Sequence, residues 1–251
     1  MENFRRDPWA GKAMIETAEA VAAEAGFTRE EIDAVTLLRY EQYDRSLEGD
    51  RAFQRRYMVP VELPGRKGTT TIEADEGVFP TTKEGLEALA AVEPGGVITY
   101  GSQTHPADGA AGVLVTTEAR ARELSPGGGV VRILATGVAR VGKAEMPKAP
   151  VPAARAALED AGLSFAQVDA ITTHNPFAVN DLWFARETGV QVEDMNLHGS
   201  SLVYGHPQAP TGARLMAELV ETLRERGGGV GLFTGCAAGD TGAAIVLRVD
   251  D

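Results

Sequence analysis

Residues 168–188 read VDAITTHNPFAVNDLWFARET, and this stretch decides the class of the fold. The apolar run at 168–172 has the length of a buried strand, and a helix is predicted at 180–188. A strand and a helix precede this unit, and a helix and two strands follow it. Strands that alternate with helices predict a layered α/β domain. The flanking elements are predicted at 130–136, 152–161, 211–226, 230–234 and 243–249.

The helix predicted at 211–226 places four apolar side chains on one face, Leu215, Leu219, Val220 and Leu223. Such a stripe is typical of a helix that packs against a sheet. A Gly-rich turn is predicted before this helix, at 199–205, and Thr211 is its expected cap.

The first third of the chain is more polar and irregular. An Ala-rich helix is predicted at 9–25, where Gly26 ends it. Thr28 followed by Glu31 forms a capping box that predicts a second helix. Further predictions are a β-like run at 57–63, a turn at 65–68, a short strand at 69–72, and a capping box of Thr81 and Glu84 before a helix at 85–91.

Residues 97–115 form an unusual unit. A buried strand is predicted at 97–100, and Asp108 is a candidate cap for an apolar helix at 109–115. One strand and one helix cannot close a sheet alone, since both strand edges would need partners. We therefore expect this unit to complete a domain whose other strands lie elsewhere.

The composition excludes several classes of protein. Of the 251 residues, 43% are hydrophobic and 24% charged, as in ordinary globular proteins. The formal net charge of −12 argues against nucleic-acid binding, which needs a basic surface. The single cysteine cannot form an intrachain disulfide and predicts a reducing, cytoplasmic setting. The polar first eight residues predict no signal peptide, and no apolar run has the length of a membrane span.

Three clusters in the last third of the chain contain side chains that could take part in catalysis. They are Thr173-His174-Asn175-Pro176-Phe177 after a predicted strand, Gly205-His206-Pro207, and Gly235-Cys236-Ala237-Ala238-Gly239 between two strands. A thiol and two imidazoles at strand ends suit proton transfer near neutral pH. The small residues around the cysteine leave backbone N–H groups free to bind an oxyanion.

Each cluster also has a structural interpretation. A cysteine beside an apolar strand, such as Cys236, is more often an inert core thiol than a catalyst, and both His174 and His206 could simply bond their own loops. His105 and His198 are weaker candidates. One cysteine and four scattered histidines lack the paired spacing of a zinc site. The glycine runs at 127–129 and 227–229 predict turns, because neither leads into the Gly-Lys-Ser/Thr of a phosphate loop.

Together these clusters resemble the thiolase family, and the resemblance runs in order along nearly the whole chain. The most specific set is GHP at 205–207, TGAR at 211–214, and Cys236. The other matching groups are MIETAE at 14–19, TREE at 28–31, GRKG at 65–68, ADE at 74–76, TT at 81–82, TYGS at 99–102, DGAA at 108–111 and PVPA at 150–153.

The resemblance implies a role for each matching position. Thiolases form or cleave a 3-oxoacyl-coenzyme A (CoA) through an acyl-cysteine intermediate. His206 matches the histidine that activates the nucleophilic cysteine, and Cys236 matches the second, acid/base cysteine. The N–H of Ala238 would contribute to an oxyanion hole. His174 stands where the family's Asn-Glu-Ala-Phe begins, as in the His-Asp-Cys-Phe of sterol-carrier-type thiolases, and with His206 would polarise the thioester oxygen.

The family also implies the ligands and the domain organisation. Thr104, Pro176 and Phe177 fall where thiolases contact the pantetheine arm of CoA, which is a substrate, and no cofactor or metal is implied. The expected fold is the layered α/β/α thiolase fold: a loop domain at 1–92, a strand and helix at 93–127 that finish an N-terminal half, and a C-terminal domain at 128–251.

The sequence departs from the family pattern in two places, and one of them bears on the expected subunit organisation. His198-Gly199-Ser200 replaces the usual Asn-Gly-Gly turn, and no second cysteine is present to act as nucleophile. The resemblance therefore implies a two-subunit thiolase in which a partner chain completes the N-terminal half and supplies that cysteine, as an (αβ)2 heterotetramer. Nucleic-acid and membrane partners are not expected.

Two other functions remain open at this stage. Some thiolase-like proteins without the nucleophile carry out retro-aldol cleavage of acyl-CoA side chains, often with a zinc-ribbon/OB-fold partner. A cysteine at the nucleophile position of the partner would favour thiolysis or condensation, and its absence would favour the aldolase. The third alternative is a non-catalytic scaffold that binds acyl-CoA.

Overall fold

The computed structural model describes residues 2–66, 68–125 and 129–250. The strands are β1 Val61–Gly65, β2 Gly68–Ile72, β3 Val130–Arg140, β4 Ala170–His174, β5 Gly229–Ala237 and β6 Thr241–Asp250. The helices are α1 Glu2–Arg5, α2 Met14–Ala25, α3 Arg29–Ser46, α4 Glu48–Arg51, α5 Lys83–Glu87, α6 Glu118–Leu124, α7 Pro150–Asp160, α8 Ala178–Thr188, α9 Ser201–Tyr204 and α10 Pro210–Glu225. Single 3-10 turns lie at Gln54–Arg56, Met146–Lys148, Phe165–Gln167 and Val192–Asp194.

The last half of the chain forms a mixed four-stranded sheet in the order β3-β6-β5-β4. β4 and β5 are parallel, whereas β6 is antiparallel to both β5 and β3. Helix α7 covers one face and α10 packs on β4 and β5 from the other. The α/β/α layering predicted from the sequence is therefore present in this region.

Helix α7 lies unusually close to the sheet, and two glycines allow it. A Cβ added at Gly137 of β3 would lie 2.7 Å from the backbone nitrogen of Ala157 and closer still to the carbonyl oxygen of Ala153. A Cβ at Gly242 of β6 would likewise meet the backbone of Ala149. The alanines of α7 that face the sheet are fully buried, so small residues on both sides set the spacing.

Helix α10 confirms the predicted apolar stripe. Leu215, Leu219 and Leu223 are 0% exposed, and Val220 is half-buried. A Cβ at Gly231 of β5 would lie 2.9 Å from side-chain carbons of both Leu219 and Leu223. The stripe therefore packs directly on the backbone of the central strands.

The outer face of β3 and β6 is open. Along both strands buried and exposed residues alternate, as expected for strands covered on one side only. Val138 is 78% exposed and pairs with exposed Ala243, which in turn pairs with Gly235. An apolar strip on the sheet is thus left uncovered by the described residues.

The first third of the chain packs on the sheet domain through buried ion pairs. Arg39 of α3 binds Asp181 of α8, Nε to Oδ2, at 2.9 Å, and both side chains are fully buried. Arg214 of α10 binds Asp75 and also Glu218. The capping box of Thr28 and Glu31 is present at the start of α3, as predicted.

The unit predicted at 97–115 is wrong in its secondary structure. Residues 97–100 are not a strand, although Ile98 is fully buried; they form only an isolated bridge between Ala91 and Thr99. Residues 109–115 are not a helix and have no regular secondary structure, with Leu114 75% exposed. Because no described element covers the apolar side chains of this segment, packing does not offset the entropy of helix formation.

Several local predictions also need correction. Thr82, not Thr81, caps α5 by accepting a hydrogen bond from Gly85 N–H. Thr211 is not a cap, because α10 begins one residue earlier at Pro210. Cys236 lies within β5 rather than between strands, since its backbone pairs with Gly242. Helix α9 occupies the predicted Gly-rich turn at 199–205, and α6 was not predicted.

Three predictions touch residues outside the described part of the chain. The turn at 65–68 contains Lys67, although its flanking residues Gly65 and Gly68 do pair in the β1–β2 hairpin. The turn at 127–129 and the domain boundary at 127/128 fall on residues 126–128.

Among the described helices, none combines the length and the apolar composition that a membrane crossing requires.

We expect Gly137→Ala to lower the free energy of unfolding by at least about 2 kcal/mol, because the added methyl group meets backbone atoms of α7 that cannot move aside. Urea unfolding measures this change. Gly112→Ala is the matched control, since a Cβ there meets nothing within 4 Å. Equal stability of the two variants would contradict the close packing of α7.

Candidate active site

One cavity of about 630 Å³ lies where β4 and β5 end. Because these strands are parallel, their carboxyl ends open at the same edge of the sheet. Five of the seven residues to which the sequence analysis assigned a role in the site line this cavity: His174, Pro176, His206, Cys236 and Ala238. The structure thus brings the three separate sequence clusters together.

His174 is the last residue of β4 and pairs with Gly235 of β5, one residue before Cys236. A Cβ at Gly235 would lie 2.9 Å from the Cβ of His174, so the glycine makes room for the imidazole. The Nδ1 atom of His174 lies 2.9 Å from Ser201 Oγ. The contact with Ser201 therefore occupies Nδ1, and Nε2 is the ring nitrogen left to bind a ligand.

His206 follows Gly205, whose φ of +89° favours glycine. The backbone N–H of His206 donates to the carbonyl oxygen of His105 at 2.8 Å. Its Nδ1 lies 2.7 Å from Thr211 Oγ1, in the first turn of α10. Residues near 105, which were predicted to belong to another domain, therefore help to position the histidine.

The two imidazoles stack, with ring centroids 4.2 Å apart and an interplanar angle of 29°. Burial lowers the pKa of His206 to about 4. Burial, together with the neighbouring His206, lowers the pKa of His174 well below its usual range. Both rings are therefore neutral at pH 7, and each can accept or donate one hydrogen bond at Nε2.

Cys236 is partly buried on the cavity wall. Burial raises the pKa of its thiol to about 12, despite hydrogen bonds from its own backbone and from the Asn180 side chain that favour the thiolate. The thiol is therefore protonated at neutral pH, a proton donor whose conjugate thiolate is strongly basic.

Asn180, in the first turn of α8, is the polar neighbour of this thiol. Its Oδ1 accepts a hydrogen bond from the backbone N–H of Phe177 at 3.2 Å, which leaves its Nδ2 to donate to Cys236 Sγ at 3.5 Å. Sequence reasoning missed this residue, because no spacing pattern relates position 180 to position 236.

The rest of the wall is mainly apolar. It includes Phe4, Met14, Val138, Met146 and Phe233, which come from five separate parts of the chain. Such a lining beside a polar corner suits a ligand with one apolar end and one reactive polar group. Sequence reasoning placed none of these side chains in the site, since each looks like an ordinary core residue; Met14 was noted only as the first residue of the MIETAE motif.

Two predicted CoA contacts lie off the cavity wall. Phe177 is 0% exposed and stacks on Phe4, at 6.4 Å between ring centroids. The hydroxyl of Thr104 donates to the carbonyl oxygen of Ser201 at 2.5 Å, and the backbone N–H of Thr104 donates to the carbonyl oxygen of Pro176. Their roles in binding CoA stay predictions.

The other two histidines lie elsewhere. His198 stacks on Phe53, with ring centroids 3.4 Å apart, and burial lowers its pKa to about 4. His105 packs against Gly205 with a buried, unpartnered Nε2. Within residues 2–66, 68–125 and 129–250, no group of three or more His, Cys, Asp or Glu side chains is arranged to hold a metal ion.

Comparison with known sequence families identifies two matching domains. Residues 6–119 match the model described as "Thiolase, N-terminal domain", and residues 129–249 match "Thiolase, C-terminal domain". Similar proteins include an acetyl-CoA acetyltransferase of Syntrophomonas wolfei, 33% identical over 247 residues, with 96% of this chain and 61% of that protein covered. The mitochondrial 3-ketoacyl-CoA thiolase of Homo sapiens is 31% identical over 239 residues, with 94% and 59% covered.

Solved structures give the same result. The acetyl-CoA acetyltransferase of Bacillus anthracis superposes with a TM-score of 0.88 at 26% identity, over 97% of this chain and 62% of that one. Human mitochondrial 3-ketoacyl-CoA thiolase superposes with a TM-score of 0.84 at 28% identity, over 95% and 60%. The chain thus spans about 60% of the length of the relatives that it matches.

We expect the alkylation rate of Cys236 to keep rising with pH through pH 10, because a thiol pKa of about 12 leaves most of it protonated there. An ordinary thiol with a pKa of about 8.5 would reach a plateau. Asn180→Leu should slow alkylation roughly threefold to tenfold at each pH, since the thiolate loses a hydrogen bond.

The rate is measured with iodoacetamide and mass spectrometry of the peptide that contains Cys236, the only cysteine of the chain. Gln191→Leu, which also replaces an amide side chain by leucine but at an exposed position, is the control and should alkylate like the wild type. A plateau near pH 9 in the folded wild type would contradict the interpretation of this thiol.

Proposed function

The chain belongs to the thiolase family, and from this premise we propose that it is the acid/base subunit of a heteromeric thiolase. The reaction would be cleavage of a 3-oxoacyl-CoA by CoA, or the reverse condensation. The observation that carries the proposal is the convergence of one protonated thiol and two neutral imidazoles on a single, mainly apolar cavity.

The nucleophile of this reaction would be a cysteine outside these 251 residues, because Cys236 is the only cysteine of the chain. His206 would take the proton of that nucleophile at Nε2, since its neutral ring has a free lone pair in one tautomer. The resulting thiolate would attack the 3-oxo carbon of the substrate, and the bond between the second and third acyl carbons would break.

Cys236 would act next as the acid. The electron pair of the broken bond moves to the second carbon as an enolate, and the Cys236 thiol transfers its proton there, which releases acetyl-CoA. CoA then attacks the acylated nucleophile, and its thiol proton passes to the Cys236 thiolate. The shortened acyl-CoA leaves, and the released nucleophile takes its proton back from His206. The high pKa of Cys236 suits both steps, because its thiolate is basic enough to recover the proton.

The enolate oxygen of the acetyl thioester would need hydrogen-bond donors. The N–H of Ala238 and the rings of His174 and His206 all line the cavity and are the candidates. Pro176 lies on the same wall, where the pantetheine arm of CoA would pass.

Two uncovered apolar surfaces support a second polypeptide as the source of the nucleophile. One is the outer face of β3 and β6, where Val138 both lines the cavity and is 78% exposed. The other is segment 109–115, in which Val113, Leu114 and Val115 are 55%, 75% and 68% exposed. Surfaces of this kind mark protein contacts. The (αβ)2 assembly and a zinc-ribbon/OB-fold subunit stay predictions.

We expect the chain, reconstituted with its partner, to transfer acyl groups from 3-oxoacyl-CoA to CoA. Cys236→Ala and His206→Ala should each lower kcat by about a hundredfold or more, since each removes a proton-transfer group. Steady-state loss of the 3-oxoacyl-CoA substrate measures this, and Gln191→Leu serves as the control. Near-wild-type rates in either variant would remove its proposed role.

Leu114→Glu should weaken association with the partner at least about tenfold, because a charge would be buried in the apolar contact. Analytical ultracentrifugation of the purified pair measures the dissociation constant. Val59→Glu, the same substitution class at a residue that is 80% exposed and lies outside segment 109–115 in the sequence, is the matched control. Unchanged association in Leu114→Glu would show that segment 109–115 lies outside the subunit contact.

A further inference from the structure

A chain of buried polar side chains lies behind His174, and no role above makes use of it. At its centre is Asp181 of α8, whose carboxylate accepts three hydrogen bonds. The donors are Arg39 Nε at 2.9 Å, Thr173 Oγ1 at 2.6 Å and Asn175 Nδ2 at 2.6 Å. Arg39, Asn175 and Asp181 are all 0% exposed, so water cannot replace these contacts.

This carboxylate fixes the orientation of the Asn175 amide. A carboxylate can only accept hydrogen bonds, so the nitrogen of Asn175, not its oxygen, must face Asp181. The oxygen Oδ1 of Asn175 therefore faces Ser201 Oγ, at 3.3 Å. That oxygen is itself only an acceptor, and Ser201 is the side chain placed to donate to it.

Ser201 has one hydroxyl proton and two neighbours that could take it. Besides Asn175, its Oγ lies 2.9 Å from His174 Nδ1. If the proton goes to Asn175, the imidazole must donate its own Nδ1 proton to Ser201, and every member of the chain is satisfied. If the proton goes to His174 Nδ1, the buried Oδ1 of Asn175 loses its donor, which disfavours that arrangement roughly tenfold or more.

From this count of donors and acceptors, we propose that Asp181, Asn175 and Ser201 are positioning residues that hold His174 as the Nδ1–H tautomer. Its Nε2 then presents a lone pair to the cavity. In the resting site His174 is then a hydrogen-bond acceptor. This narrows the three candidate oxyanion donors named under the proposed function to Ala238 and His206, and it removes the donor role that the family resemblance implied for His174.

The consequence for the reaction rests on the proposed function. The oxyanion donors would be the N–H of Ala238 and, once it has taken the nucleophile's proton, His206 Nε2–H. His174 Nε2 would instead accept a hydrogen bond from a group that brings a proton into the cavity, such as the thiol of incoming CoA. Of the two stacked rings, His174 would then accept a hydrogen bond in the cavity and His206 would donate one.

The tautomer can be read directly by NMR. Two-bond 1H–15N correlation spectra of the chain, labelled with 15N in its four histidines, distinguish protonated from unprotonated ring nitrogens at pH 7. His174→Gln identifies the His174 signals. We expect protonated Nδ1 and unprotonated Nε2 in the wild type, and in Ser201→Ala a shift of at least tenfold in the tautomer ratio toward Nε2–H, because Nδ1–H loses its acceptor.

Thr211→Val is the matched control, since it removes the corresponding hydroxyl from Nδ1 of His206. It should change the His206 signals and leave the His174 tautomer as it was. Unchanged signals of His105 and His198 report that each variant is folded. A wild-type His174 protonated at Nε2, or a Ser201→Ala spectrum with His174 unchanged, would overturn the proposal.

The NMR measurement is independent of catalysis. A reconstituted pair without acyl transfer but with Nδ1–H at His174 would refute the proposed function and leave the tautomer established. Conversely, an active pair with Nε2–H at His174 would refute only the tautomer.

Discussion

The site depends on the parallel pairing of β4 with β5. That register sets His174 beside Gly235 and delivers Cys236 one residue later to the same edge of the sheet. A parallel pair requires a long crossover, and here α8, α9 and α10 provide it. The crossover carries His206 and Ser201 back to the edge where the strands end. A single residue of slippage would turn the imidazole or the thiol to the opposite face.

Burial is the main cause of the pKa shifts in the cavity. None of the described residues that line it is Asp, Glu, Lys or Arg, yet the pKa of His206 falls to about 4 and that of Cys236 rises to about 12, in both cases mainly through burial. The buried charges sit one layer further out, where Arg39 and Asp181 neutralise each other. The cavity therefore contains neutral acid/base groups, while the paired charges fix the geometry around them.

The sequence predicted the layered α/β class, the stripe on α10 and the three clusters, because each depends on local pattern or on a family motif. It failed at 97–115, where apolar residues resemble a strand and a helix but form neither, and where residues 109–115 have no covering layer among the described residues. It also missed Asn180, Ser201 and Asp181. Their meaning lies in contacts between residues far apart in the chain, which no spacing pattern records.

The protonated state of Cys236 has a further consequence for the life of the protein in a cell. Peroxides oxidise thiolates far faster than thiols, so a sulfur held in its neutral form is chemically quiet. Being the only cysteine, it also has no neighbour in the chain with which to form a disulfide. Under the proposed function, oxidative inactivation would therefore begin at the separate nucleophilic cysteine and not at Cys236.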